Sequence, residues 1–165
     1  MWLWFALARA EVVDRVVAVV KGQPVLASDV RLDELLAPFD PAPVPFWTTG
    51  RPAEEVEIDA AIVRWVASDV SLYQPSHEAI AERVAALRAE FGPRWEGFLA
   101  DHGLDQERLT LTVRRRMVVE RYLLRTLQAD PADRAAWTAA SEAVLVELRA
   151  EIPVRRIALR GEEAQ

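Results

Sequence analysis

The amino-acid sequence predicts an α+β domain, mainly α, in which an N-terminal β-hairpin sits on a helical bundle and a C-terminal helix and strand complete the module. Three observations carry that expectation. Residues 12–26 are dense in valine around a Lys21-Gly22 turn, and β-branched side chains favour pleated strands over helices. Much of the remaining chain repeats apolar residues at helical spacing, in runs opened by Ser or Asp and closed by Gly or Pro. Finally, 165 residues at 52% hydrophobic and 28% charged are enough for one core that buries roughly 70% of the unfolded chain's surface. Such a composition excludes disordered, collagen-like and low-complexity classes.

Taken in order, Trp2 to Ala8 is an apolar run that ends in the small-x-small pattern Ala8-Arg9-Ala10. It has the form of the last part of an export signal, so residues 1–10 are expected to be a partial signal peptide; a short core strand or an apolar tail is the alternative. Residues 11–160 then form one domain. Val12 to Val20 is the first strand, Gly22 takes positive φ in the turn, and Pro24-Val25-Leu26 is the second strand. Ser28-Asp29 is read as the N-cap pair of a short helix through Leu32, Leu35 and Leu36. Five prolines between Ala37 and Pro52 make an irregular, stiff loop that carries Phe39, Phe46 and Trp47.

From Ala53 to Tyr73 a nearly all-round apolar helix is expected, with a polar stripe at Glu57, Arg64, Ser68 and Ser71. Ser76 caps a third helix through Ile80, Val84, Leu87 and Phe91, which Gly92-Pro93 ends. A short helix from Arg94 to Asp101 buries Trp95, Phe98 and Leu99 and stops at Gly103. Asp105 caps a long helix to about Gln128 with two apolar stripes: Leu109, Val113, Met117, Leu124 and Leu127 on one side, Leu111, Val118 and Tyr122 on the other. Asp130-Pro131 reads as cap and N1 of a last helix through Trp137, Val144 and Leu148. Ile152 to Leu159 is strand-like and available to join the hairpin, and residues 161–165 are a polar tail.

The chemistry-bearing residues are few. Cysteine is absent, which removes disulfides, thiolate zinc sites and Cys nucleophiles. Twenty Lys and Arg against 26 Asp and Glu disfavour a polyanion, so no nucleic-acid partner is expected, and no apolar run is long enough for a stable membrane span. No phosphate-cradling glycine loop or nucleophile-elbow pattern is present, and His77 and His102 have no partners at metal-ligand spacing. Hence no catalytic residue, metal or cofactor is assigned. Glu54, Glu55, Glu57 and Asp59 read as a solvated face at a helix's positive end. Asp69 and Arg116 each fall on the apolar face of a long helix, so they are expected to pair with each other, Glu120 being the alternative partner of Arg116. Phe39, Phe46 and Trp47 either form an exposed platform for extended polypeptide or fold back over the core.

The run Val12-Val13-Asp14-Arg15-Val16-Val17-Ala18-Val19-Val20-Lys21-Gly22-Gln23-Pro24-Val25-Leu26-Ala27-Ser28-Asp29-Val30 resembles the opening of SurA-type periplasmic chaperones, which are related to PrsA-type foldases. A weaker likeness continues to Leu127. The resemblance implies a periplasmic, ATP-independent holdase for unfolded polypeptides such as outer-membrane protein precursors, with transient contact to outer-membrane assembly machinery. Lys21 stands where the family usually has Asn before the turn glycine, a substitution that costs roughly 1 kcal/mol in a left-handed conformation. About 25 residues separate Leu127 from Ile152, too few for the parvulin-type isomerase domain that family members often carry. No peptidyl-prolyl isomerase activity is therefore expected, and the rival readings are such an isomerase acting alone or an adaptor with one folded partner.

Overall fold

The computed structural model describes residues 14–157. The export-signal pattern, Val12, Val13, the strand's last residues Ala158 and Leu159, and the polar tail lie outside them. Strands β1 (Val16–Val20) and β2 (Gln23–Leu26) form the hairpin, and β3 (Val154–Arg156) adds to the other side of β1, giving an antiparallel sheet in the order β2-β1-β3. Lys21 at φ 48° and Gly22 at φ 84° make the tight turn, the pair of left-handed residues that a two-residue hairpin loop demands. A register irregularity between Val16 and Ala18 lets both Val17 and Ala18 turn inward, at 2% and 0% exposure, where simple alternation would bury only one.

Six helices follow: α1 (Ala27–Leu36), α2 (Ala53–Ala67), α3 (His77–Phe91), α4 (Trp95–Asp101), α5 (Gln106–Thr126) and α6 (Arg134–Glu151). Several ends form for the local reasons read from the sequence. The Ser76 side chain accepts from the Ala79 amide and Asp105 from the Arg108 amide. At the end of α4 the Leu104 amide bonds the Leu99 carbonyl and the Gly103 amide that of Ala100, with Gly103 at φ 57°, a glycine-terminated Schellman motif.

Elsewhere the structure corrects the expectation. Ser28 and Asp29 do not cap α1. Asp14, fourteen residues upstream, accepts from both the amide and the hydroxyl of Ser28, and Asp29 instead pairs with Arg115 at 2.9 Å. Helix α2 stops at Ala67 rather than Tyr73, because the Ser68 hydroxyl donates to the Trp65 carbonyl and the Gln74 amide group donates to that of Ala67, satisfying its last turn sideways. Helix α6 is capped by Asp133. Asp130 forms a turn by accepting from the Ala132 amide.

The apolar interior has three parts. One lies between α2, α6 and the second half of α5 and includes Val44, Phe46 and Trp47. A second joins α1, α3, α4 and the first half of α5. The third packs the sheet's inner face on Ile58, Ile62 and Ile152. Helix α5 is thus shared end to end, Leu109, Val113 and Met117 serving one part and Val118, Val119, Tyr122, Leu123 and Leu127 the other. Leu111 and Leu124, expected inside, are 44% and 40% exposed. Among the described residues no helix is long and apolar enough to cross a membrane.

Candidate functional site

Where the two helical parts of the interior meet, α1, α3, α5 and the proline-rich loop bring five charged side chains together. Arg116, 1% exposed on α5, donates Nε to Asp40 at 2.7 Å and Nη1 to Asp33 at 2.9 Å, while its guanidinium lies 4.2 Å from the centre of the Trp47 ring. Arg83 bridges Asp40 at 2.8 Å and Glu120 at 3.0 Å. Burial works against the Arg116 charge, but Asp33 and Asp40 more than offset it and hold its pKa above the ordinary arginine value. Glu120 is pushed upward by burial, against the pull of Arg83. The expected Asp69–Arg116 pair does not form: α2 ends before Asp69, which is left exposed, and Arg116 takes two carboxylates from α1 and its following loop instead. Glu120 pairs with Arg83 rather than Arg116.

The acidic start of α2 is also not a solvated face. Glu57 and Asp59 are 2% and 1% exposed. Asp59 is gripped by Arg51 and by Arg149 at 2.5 Å, and Arg149 also holds Glu142 at 2.8 Å. Those bonds, led by that to Asp59, raise the Arg149 pKa. Glu57 accepts from Arg64 at 2.6 Å, but its Oε2 finds no donor. Burial outweighs the attraction of Arg64 and, helped by the negative charge of Asp33, pushes the Glu57 pKa up to about 8.

The three loop aromatics separate. Phe46 and Trp47, at 3% and 8% exposure, fold back into the interior on a 3-10 turn over Pro45–Thr48 and offer no platform. Large aromatic area is more favourable against α2 and α5 than in water. Phe39 reaches an open groove of about 450 Å³ between the end of α1 and α4. Leu35, Phe39, Phe91 and Phe98 make its floor, and Arg94, Asp101 and His102 its rim. The rings interlock: Phe39 lies 4.0 Å from Phe91, Phe91 4.4 Å from Phe98, and Phe98 5.0 Å from His102, between centroids. Arg94 stands 5.6 Å from the Phe39 ring centre. Trp95, behind Phe91 at 5.5 Å, is buried and backs the floor.

This site is positioned by local chain chemistry. Gly92 at φ 58° breaks α3 and lets a 3-10 turn over Gly92–Arg94 carry the helical rotation into α4. Phe91, Trp95, Phe98 and His102 consequently fall at i, i+4, i+7 and i+11 and share a face. That spacing was the available signal for Phe91, Phe98 and His102 as site residues; reading Phe98 as core and His102 as an isolated side chain missed it. Among the described residues no three His, Cys, Asp or Glu side chains form a metal-binding group. What the groove offers is aromatic surface with a mixed-charge rim, suited to holding apolar side chains without a covalent step. No family model and no curated protein matches the chain.

Proposed function

We propose that this protein is an ATP-independent periplasmic chaperone, a holdase that binds unfolded, aromatic-rich polypeptide in the groove between α1 and α4. The observation that carries the reading is that Phe39 and Phe98, each half-buried, leave ring surface open in a 450 Å³ depression instead of closing it. The SurA-like opening of residues 12–30 and the export-signal pattern ending at Ala10 support the class and the compartment. Client binding there is noncovalent. An aromatic side chain gains a few kcal/mol by burial before the cost of ordering the client, which leaves transient, micromolar affinity. Contact with outer-membrane assembly machinery follows from clients that are outer-membrane precursors.

The test is suppression of aggregation when a urea-unfolded outer-membrane β-barrel protein is diluted into buffer, beside anisotropy of a labelled peptide with aromatics at alternate positions. The protein is expected to keep the client soluble without nucleotide. Phe39→Ser with Phe98→Ser should weaken the peptide about tenfold, equivalent to roughly 1.4 kcal/mol, with far-UV circular dichroism unchanged. Unchanged affinity in that variant overturns the assignment of the groove. Acceleration of a prolyl-peptide isomerisation assay, or a stoichiometric complex with one folded partner and no hold on unfolded clients, overturns the chaperone reading.

A further inference from the structure

A second cavity, of about 350 Å³, opens beneath the proline-rich loop and shares no lining residue with the aromatic groove. Pro43, Pro45, Trp47, Asp40, Arg116 and Arg134 are among its walls. Two buried donors in those walls have no acceptor: Nη2 of Arg116, on a side chain 1% exposed, and Nε1 of Trp47. They belong to stacked groups, since the guanidinium carbon sits 4.2 Å from the indole centre. A buried donor left unpaired costs about 1–3 kcal/mol, and more when it is charged. The carboxylate of Asp40 is engaged elsewhere, Oδ1 by Arg83 and Oδ2 by Arg116 Nε, and makes no bond to either orphan donor. Arg134 brings a further cation to the mouth, where it donates to the Thr48 hydroxyl at 2.7 Å and has no carboxylate partner among the described residues.

We infer that this cavity binds a carboxylate group, accepted by Arg116 Nη2 and Trp47 Nε1 and steered by Arg134. The donor set selects that chemistry. Two of the side chains that line the cavity are cationic, Arg116 and Trp47 each keep an N–H without an acceptor, and a planar two-oxygen acceptor can take a guanidinium N–H and an indole N–H together. A ligand with no acceptor atom leaves both donors orphaned, and a neutral carbonyl satisfies an N–H but brings no charge to meet the guanidinium groups of Arg116 and Arg134. The proline and alanine walls supply apolar contact for the carbon chain that bears the acid. The carboxylate can come from a free acid, a polypeptide C-terminus or an Asp or Glu side chain. The site does not depend on the function of the aromatic groove.

The test is a titration of the full-length, ¹⁵N-labelled protein, following the Trp47 indole N–H signal, assigned by its loss in Trp47→Phe. The probes are acetate, an N-acetylated tetra-alanine peptide with a free C-terminus, its C-terminal amide, and an amide containing one internal Glu. Acetate and at least one carboxylate peptide should give saturable shifts and the plain amide none; whichever peptide saturates identifies chain end or side chain as the source. Arg134→Gln, at an exposed position outside the buried network, should weaken acetate at least threefold with the remaining spectrum unchanged. No saturation by any carboxylate, an equal response to the plain amide, tighter binding of inorganic phosphate, or unaltered affinity in Arg134→Gln would each overturn the inference.

Discussion

Glu57 makes folding stability depend on pH in the direction opposite to an ordinary paired carboxylate. In the folded chain its pKa is pushed up to about 8, against an ordinary value of 4.5, so between those pH values the native state holds a proton that the unfolded state has released. Stability is therefore fully present below about pH 4.5 and is lost as pH rises through about 8. At roughly 1.4 kcal/mol for each pH unit of that gap, the loss approaches about 5 kcal/mol. Structural relaxation around Arg64, which favours the charged form, brings the expected figure to roughly 2–4 kcal/mol. The perturbation is Glu57→Gln, which keeps the shape and removes the titration. Urea unfolding followed by tryptophan fluorescence at intervals from pH 5 to pH 9 should show the parent losing stability steadily. The variant should show a much flatter profile and equal or exceed the parent at the alkaline end. A residual slope belongs to Glu120, which burial also raises. Glu55, lowered chiefly by its bond to Arg156, acts only in the acid range below the window. A flat parent profile, or a variant destabilised by the same amount at every pH, would refute the reasoning.

Two further perturbations probe other features. Arg116→Met strands the Asp33 carboxylate and leaves Asp40 with Arg83 alone, and should cost ~3–5 kcal/mol, seen as a midpoint roughly 6–20 °C lower in a thermal melt. Adding Asp33→Asn should recover part of that loss, and no recovery would make packing, not charge, the cause. Lys21→Asn relieves a left-handed lysine at φ 48°, a gain of about 1 kcal/mol. Loss of the Lys21 ammonium from its place 5.0 Å above Trp65 offsets roughly half of that. A small rise in melting temperature is expected, and a drop equivalent to about 1 kcal/mol or more contradicts the account of the turn.

Legibility in the sequence followed the range of the interaction. Ser76, Asp105 and Gly103 act on amides and carbonyls a few residues away, and their roles follow from residue type and spacing alone. The hairpin is equally local, and its C-terminal partner strand falls within the strand-like segment Ile152 to Leu159 after the last helix. The failures share a longer range. Asp14 reaches fourteen residues to cap α1, and Arg116 reaches 76 and 83 residues to Asp40 and Asp33. A helical wheel reports that Arg116 faces inward but carries nothing about which acid arrives from another element. It also misplaced Asp69, because α2 ends before that residue is reached, and exposed Glu57 and Asp59, which only the approach of Arg64, Arg51 and Arg149 allows to be buried. Of the loop aromatics, Phe39 reaches the groove beside α4, Trp47 lines the cavity beneath the loop, and Phe46 is buried. Prolines fix the stiffness of such a segment and leave its direction to tertiary packing.

The sheet order has a bearing on biosynthesis. Because β1 is the middle strand and its second neighbour is Val154–Arg156, the first strand of the described residues carries an uncovered flank until nearly all of those residues have been translated. Chains released before that point therefore expose a pairing-competent valine ribbon to one another, and closure of the sheet waits for Val154–Arg156.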